Sequence, residues 1–354
     1  MLFRSAVSRI RTLALVGPAA AGKTTLAEAL LQQAGMIGAA GSVERGSTVS
    51  DSDALERRMQ HSLVTSVLHL NHADPLVPLL DTPGSADCLG QSLPALEAVE
   101  TAAVVVNATT GIEPMAVRMM AWAAERQLDR MIIVNRIDAP GVDCAALLAE
   151  IQATFGRECL PLNLPAAGGR EVVDCWFAPE AAPGHEADFS SVAAAHRALV
   201  EQVVEVDGDF VERYLNEGDV DARELHAPLE QALREGHLIP VVFVSAKTGT
   251  GVAALLDVIV QLLPDPTEGN LPDFYKGEGA AAQLMHARVD PAQHVLAHVF
   301  KVAIDPYVGK LGVFRIHQGT VTSNSLLYVG DGRKPFKVGH LLRLQGKAHV
   351  EVPS

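Results

Sequence analysis

The chain has 354 residues, 48 % hydrophobic and 20 % charged; that much apolar material fills two or three cores and excludes a disordered or fibrous polypeptide. With 28 Lys and Arg against 42 Asp and Glu the net charge is −14, the wrong sign for a protein that coats nucleic acid over its whole surface. Four cysteines, Cys88, Cys144, Cys159 and Cys175, have no C-x-x-C spacing and are expected as reduced thiols in a cytoplasmic protein.

At the N-terminus Arg4, Arg9 and Arg11 precede the apolar Leu13–Val16, a superficial copy of a secretory signal. The run is short, and cleavage would destroy the motif it enters. No uninterrupted apolar run reaches the roughly 18 residues of a membrane span, so a soluble chain is expected. Leu13–Val16 predicts a buried strand, followed by Gly17-Pro18-Ala19-Ala20-Ala21-Gly22-Lys23-Thr24 and a helix from Thr25 to Leu31. This strand, G-x-x-x-x-G-K-T loop and helix come in the order of a phosphate-binding loop. Gly17 and Gly22 let the backbone curl so that successive N–H groups meet phosphate oxygens, and the helix N-terminus adds positive potential. Lys23 is expected to reach the β- and γ-phosphates, and the Thr24 hydroxyl to ligate Mg²⁺.

Leu76–Leu80 is a second apolar strand, ending in Asp81-Thr82-Pro83-Gly84. Asp81 can hold the Mg²⁺ shell and Gly84 can present its N–H to a γ-phosphate; Pro78 indicates that one N–H of this strand is not needed by a neighbour. Ala102–Val106 predicts another strand, and Met115–Arg126 a helix whose methionines are core filler. Met131–Val134 ends in Asn135-Arg136-Ile137-Asp138, in which Asp138 can accept the N1–H and N2 hydrogens of guanine, a donor pair adenine lacks. Asn135 would tie this turn to the phosphate loop. Val242–Val244 closes on Ser245-Ala246-Lys247, expected against the guanine O6 edge. Each motif ends an apolar strand, where an open α/β sheet binds ligands. Together they point to GTP or GDP with Mg²⁺, and Asn135 and Asp138 disfavour an ATP enzyme.

Asn135 and Ser245 lie 110 positions apart, whereas one βαβ step needs only roughly 30. An α+β subdomain over about 155–237 is therefore expected inside a mostly parallel α/β P-loop domain spanning 1–265. Gly251–Leu263 is its last helix. The Pro-, Gly- and acid-rich stretch 266–293 reads as a linker. Beyond it, Val295–Ile304, Gly312–Ile316, Gly319–Thr322, Ser325–Val329, Phe336–Leu344 and Ala348–Val352 predict short strands, separated by turns such as Gly330-Asp331-Gly332-Arg333. They predict a partial antiparallel β-barrel over 294–354.

These residues resemble those of a translation-factor GTPase, and the large insertion narrows the resemblance to elongation factor G. Gly111-Ile112-Glu113-Pro114 matches that family's G-[VI]-[EQ]-P, although Asn107 stands where it usually has Asp. Asp305-Pro306-Tyr307-Val308-Gly309-Lys310-Leu311 and Phe314–Gly319 look like the opening of its second domain. The resemblance implies a GTPase with Lys23, Gly84 and Ser85 at the reacting phosphate, working in the cytoplasm as a monomer on the ribosome (rRNA and ribosomal proteins). It also implies that this chain corresponds to the N-terminal part of that factor, as either a fragment or a natural truncation.

Three departures cluster at one phosphate. Ser85 replaces the family's water-orienting His, Ala20 replaces an Asp near the phosphate loop, and Met59-Gln60-His61-Ser62 replaces R-G-I-T. Ser62 or Thr65 could supply the switch oxygen that contacts Mg²⁺ in the GTP state, with Ser62 favoured. His61 reads more simply as an exposed polar residue than as a substitute imidazole. Arg136 for the usual Lys changes little, because a guanidinium also stacks on a base. Slow hydrolysis is expected; the alternative is a GTP-dependent binding switch with little or no hydrolysis, on or off the ribosome. The acidic stretch Glu201–Glu217 reads as a solvated helix surface or, alternatively, a docking face for a basic ribosomal protein.

Overall fold

The computed structural model describes residues 7–72, 74–179, 186–217, 224–270, 272–277, 279, 282–305, 309–330, 332 and 334–354. Arg4, the Pro306-Tyr307-Val308 part of the second-domain motif, and Asp331 and Arg333 of an expected turn lie outside the described residues.

Strand β1 (Leu13–Val16) leads through the glycine-rich loop into helix α1 (Lys23–Gln33). A long irregular segment holding the short helix α2 (Ala54–Met59) then precedes the antiparallel pair β2 (Ser66–Asn71) and β3 (Leu76–Asp81). Helix α2 starts at a capping box: Asp53 accepts from Leu55 N–H at 2.7 Å while Glu56 accepts from Asp53 N–H at 3.2 Å. Short helical turns between 86 and 98 lead to β4 (Thr101–Asn107). Helix α3 (Pro114–Glu125), with proline at its first position, leads to β5 (Asp129–Asn135), and α4 (Cys144–Phe155) is capped by Asp143.

β6 (Cys159–Pro161) opens the expected insertion, followed by the hairpin β7 (Asn163–Ala166) and β8 (Glu171–Asp174). Helices α5 (Val192–Val204), α6 (Gly208–Glu217) and α7 (His226–Arg234) complete it before β9 (Ile239–Val244) and α8 (Val252–Gln261). The inserted stretch is not a separate lobe throughout. Cys159–Pro161 pairs in parallel with Ile239–Val241 as the seventh strand of the main sheet. Asn163 then mimics a strand partner, accepting from Phe243 N–H at 2.8 Å and donating to Phe243 C=O at 3.1 Å.

The sheet order is β2-β3-β1-β4-β5-β9-β6, parallel except for β2. Its two faces are read directly from alternation in β1. Leu13 and Leu15 enter a core with α1, α8 and the insertion, whereas Ala14 and Val16 enter one with α3 and α4. β3 is internal, so Pro78 needs an account. Opposite it, His69 turns both its N–H and its C=O outward to the Gln345 side chain, at 2.8 and 3.2 Å; the missing proline N–H therefore costs nothing on that side.

Beyond α8, the expected linker contains a small hairpin, β10 (Phe274–Lys276) with β11 (Gln283–Met285). The long hairpin β12 (Leu296–Asp305) and β13 (Gly309–Gln318) follows. The pairs β14 (Leu326–Leu327) with β15 (Phe336–Lys337) and β16 (Leu342–Gln345) with β17 (Ala348–Glu351) follow as separate two-stranded antiparallel sheets where a partial barrel is expected. Gly319–Thr322, expected as a strand, is irregular, and 338–341 interrupts the expected strand Phe336–Leu344. Val338 and Leu341 instead turn inward with Val321 to make the small core of this region. Across the junction, Arg315 pairs with the buried Glu100 at 2.6 Å and donates to Thr12 Oγ1 at 2.9 Å.

All four cysteines are free thiols. Burial pushes Cys144 up to about 11 and Cys159 and Cys175 to about 12, which leaves these three unreactive. Among the described residues no helix is long and apolar enough to cross a membrane.

Candidate nucleotide site

The carboxyl ends of β1, β3, β4, β5 and β9 lie at one edge of the sheet because these strands are mutually parallel. The loops carrying the sequence motifs therefore converge there. The loop after β1 is tightly packed. A Cβ on Gly17 (φ +129°) would lie 2.6 Å from Val105 C=O, and one on Gly22 (φ +91°) 2.3 Å from Asn135 Nδ2; both positions demand glycine. Pro18 and Ala21 are buried, while Ala19 and Ala20 face outward and Thr25 is half-buried. Helix α1 has no side-chain cap and no acid in its first turn. Its terminal N–H groups are thus left for an anion.

Lys23 is buried and its Nζ donates to Gly17 C=O at 3.0 Å and Pro18 C=O at 2.7 Å. Burial lowers its pKa to about 8, against the pull of Asp81, Glu113 and Asp51. Gly84 lies over the same lysine, since a Cβ there would fall 2.4 Å from Lys23 Nζ and 2.5 Å from Ala19 N. Thr82 Oγ1 donates to Leu15 C=O at 2.7 Å, and Ser92 Oγ to Pro83 C=O at 2.6 Å, so the turn after β3 is held on both sides. Ser85 is half-buried and starts the next helical turn without using its hydroxyl as a cap.

Beside Lys23, the Thr24 and Ser62 hydroxyls meet at 3.1 Å. Thr65, the other candidate switch hydroxyl, is turned away and donates to Gln91 C=O at 2.5 Å. Asp81 and Asp51 are 1 % and 3 % exposed, and neither carboxylate, nor the Ser50 hydroxyl, has a hydrogen-bond partner of normal geometry. Burial pushes Asp81 up to about 7, with the Asp51 charge adding and the nearby Thr24, Lys23 and Ser50 opposing. Burial likewise raises Asp51, opposed by Ser62 and His61. Two orphaned buried carboxylates beside hydroxyl oxygens are a hard-oxygen donor set that fits Mg²⁺.

The three segments expected to meet the base are joined by Asn135. Its Nδ2 donates to Ala21 C=O at 3.0 Å, and its Oδ1 accepts from Arg136 N–H at 2.8 Å and Ala246 N–H at 3.0 Å. Arg136 (φ +66°) reaches back to Ala20 C=O at 3.1 Å. Ser245 N–H donates to Thr250 C=O at 2.9 Å, closing the turn that leaves Lys247 exposed. Asp138 is half-buried beside Gly169 of the insertion, whose Cβ would strike Ile137 C=O at 2.1 Å. Asn107, in place of the family's usual Asp, accepts from Thr109 N–H and Oγ1 at 3.0 and 2.8 Å, which shapes the turn after β4.

A model of the elongation factor Tu GTP-binding domain matches residues 8–265. The chain belongs to this family. This GTP-binding domain and the region after it are 33 % identical over 331 residues to an elongation factor G-like protein of Mycobacterium tuberculosis, covering 90 % of the chain and 46 % of that protein. Elongation factor G of a Thermotoga species is 25 % identical over 361 residues, covering 98 % of the chain and 52 % of that factor. A crystal structure of ttk003000868 from Thermus thermophilus matches with TM-score 0.81 and 31 % identity, covering 98 % of this chain and 51 % of that one. The chain thus spans about half the length of the curated relatives it matches. Residues 8–265 are thus a GTP-binding domain of the translation-factor family, the chain as a whole is similar to elongation factor G-like proteins, and small antiparallel sheets follow the α/β domain.

Some residues of this family member carry no motif signal. Asp51 and Ser50 lie in an acidic, irregular segment with no periodicity to mark them. Glu28, fully buried on α1, accepts from Gly41 N–H at 2.8 Å and Val49 N–H at 2.6 Å, and so pins the segment that brings Asp51 in. The one usable signal was the Asp53/Glu56 capping pattern, which fixes the helix just ahead of Ser62.

Proposed function

We propose that the chain binds GTP and GDP with Mg²⁺ and hydrolyses GTP slowly, as part of a cytoplasmic, monomeric factor acting on the ribosome. The observation that carries this reading is the uncapped start of α1 beside Lys23, next to the orphaned carboxylates of Asp81 and Asp51. The N–H groups of residues 19–24 and the Lys23 ammonium would hold the phosphates. Thr24, Ser62 and Asp81, with Asp51 nearby, would hold Mg²⁺, which when bound neutralises charge on the phosphate oxygens. Asp138 would accept the guanine N1–H and N2 hydrogens, Arg136 would cover the base, and Ser245–Lys247 would line its O6 edge. Gly84 would offer its N–H to the γ-phosphate, a role supported by the close approach of its Cα to Lys23 and Ala19.

Hydrolysis needs an attacking water held in line. Ser85 is short and has no imidazole equilibrium near neutral pH, so its hold on water is weaker than that of the family's His. A single-turnover assay with and without ribosomes tests this: a low rate that Ser85→His raises is expected. A ribosome-stimulated rate equal to that of an ordinary elongation factor G would overturn it. ATP displacing bound GTP at equal concentration would sink the guanine assignment.

A second reading, a GTP-dependent switch with little hydrolysis, is supported by Ser85 and Ala20, which stand where the family usually has a His and an Asp. Tight GTP binding with no measurable turnover would select it.

A further inference from the structure

The segment 48–65, which carries Asp51 and Ser62, is touched at both ends by the region after residue 294. At its start, Gly346 in the turn between β16 and β17 has φ +57°, and a Cβ there would lie 2.1 Å from Val49 C=O. The backbone of that turn therefore lies directly against Val49. The turn is fixed to the edge of the main sheet: Gly346 N–H donates to Val67 C=O at 2.9 Å, Gln345 exchanges two hydrogen bonds with the His69 backbone, and His69 Nδ1 contacts Leu344 C=O at 2.8 Å. At the other end, Lys301 of β12 donates from Nζ to Thr65 C=O at 2.5 Å.

Between these points the segment hangs from a few side chains. Glu28 holds Val49 N–H, Ser66 Oγ donates to Ser50 C=O at 2.9 Å, and Glu56 Oε1 accepts from Leu63 and Val64 N–H at 3.0 and 3.2 Å. Lys301 is largely removed from water, which lowers its pKa, while the nearby Glu56 charge favours its ammonium. Apart from α2 the segment has no regular structure, and fixing each such residue costs about 1–2 kcal/mol of backbone entropy. Anchors at both ends reduce what binding must supply, which couples two sites without a long path between them.

We propose that Lys301 and the Gln345–Gly346 turn are positioning elements: they clamp both ends of segment 48–65 and so hold Ser62 and Asp51 beside Thr24. Seating of the second domain and binding of the metal–nucleotide pair thereby favour each other. This deepens the nucleotide reading above and rests on it. The reciprocal consequence is that bound nucleotide with Mg²⁺ tightens the second domain against the sheet edge.

The test uses the full chain with Lys301→Met, Lys301→Arg and Gly346→Ala. Amide hydrogen exchange without nucleotide is read at Val49, Leu63 and Val64, with β4 and β5 amides reporting that the fold is intact. Losing one hydrogen bond from a charged donor corresponds to about tenfold. Lys301→Met and Gly346→Ala are expected to speed exchange in 41–65 about tenfold, leaving β4 and β5 unchanged. They are also expected to raise about tenfold the Mg²⁺ concentration that half-maximally slows release of a fluorescent, non-hydrolysable GTP analogue, the state in which Ser62 is expected at the metal, with its metal-free affinity unchanged. Lys301→Arg restores both.

Exchange and Mg²⁺ midpoints within about twofold of wild type in Lys301→Met would overturn the clamp, even if Gly346→Ala fails to fold. Faster exchange with an unchanged Mg²⁺ midpoint would overturn the coupling. A wild-type chain that binds no guanine nucleotide would overturn the nucleotide reading and the coupling with it, and the ligand-free exchange arm distinguishes that failure from the absence of a clamp.

Discussion

The hydroxyls of Thr24 and Ser62, 38 positions apart, meet at 3.1 Å at the edge of the sheet, next to an Asp81 carboxyl that burial has pushed up to about 7. A carboxyl must lose its proton to ligate Mg²⁺, so protons compete with the metal. Below pH 7 the apparent Mg²⁺ affinity of the GDP complex is expected to rise about tenfold per pH unit and to level off near pH 8. Calorimetry at pH 6, 7 and 8 checks this, and Asp81→Asn should abolish the proton release. The raised pKa also fixes the sign for the metal-free fold. The favourable protonated form is fully present below the unfolded-chain value and is lost as pH rises through about 7. Asp81→Asn should accordingly stabilise the metal-free chain most at pH 8, less at pH 5, and have little effect near pH 3, below the unfolded-chain value, as read by thermal denaturation.

Asn135 links three chain segments through Ala21, Arg136 and Ala246. Asn135→Ala leaves the buried Ala246 N–H without a partner, a loss of about 1–3 kcal/mol. Guanine-nucleotide affinity should fall about tenfold to a hundredfold, measured by equilibrium titration with a fluorescent GDP. An unchanged affinity would mean that these loops hold their positions without it.

Glu100, 7 % exposed, is paired with Arg315 at 2.6 Å; burial nevertheless raises its pKa, with Arg315 opposing. Arg315→Met would leave a buried carboxylate uncompensated and should destabilise the chain by about 3–5 kcal/mol. The double variant Arg315→Met with Glu100→Gln should recover most of that. Urea denaturation of both variants checks the difference.

Ala20 has φ +61°, a conformation that costs a residue with a Cβ roughly 1–2 kcal/mol. Ala20→Gly should therefore raise stability by about 0.5–1 kcal/mol, allowing for the greater freedom of glycine in the unfolded chain. The urea midpoint reports it, and a fall would place the strain elsewhere in the loop.

Much of this site is legible in the chain itself because its requirements are local. Gly17 and Gly22 are demanded by positive φ and close backbone approach, and the apolar runs ending at Asp81, Asn135 and Ser245 each carry their motif at the strand end. Less legible were elements whose partners are distant. Cys159–Pro161 is too short to announce itself as a strand, and only pairing with Ile239–Val241 puts it in the main sheet. Val338 and Leu341 read as part of a strand, but they turn inward to fill the small core with Val321. Phe274–Lys276 lies in a stretch whose composition signals only a linker.

The sequence by itself determined the nucleotide class of the fold, the order of its motifs and the departures at Ala20 and Ser85, since each depends on residue type within a few positions. Tertiary structure decided which switch hydroxyl faces Thr24, and that Asp51 and Asp81 are both buried without hydrogen-bond partners. It also decided that Gly346 and Lys301 touch the two ends of the same segment. Burial and charge compensation depend on what the rest of the chain brings within a few ångströms, and no local spacing records that.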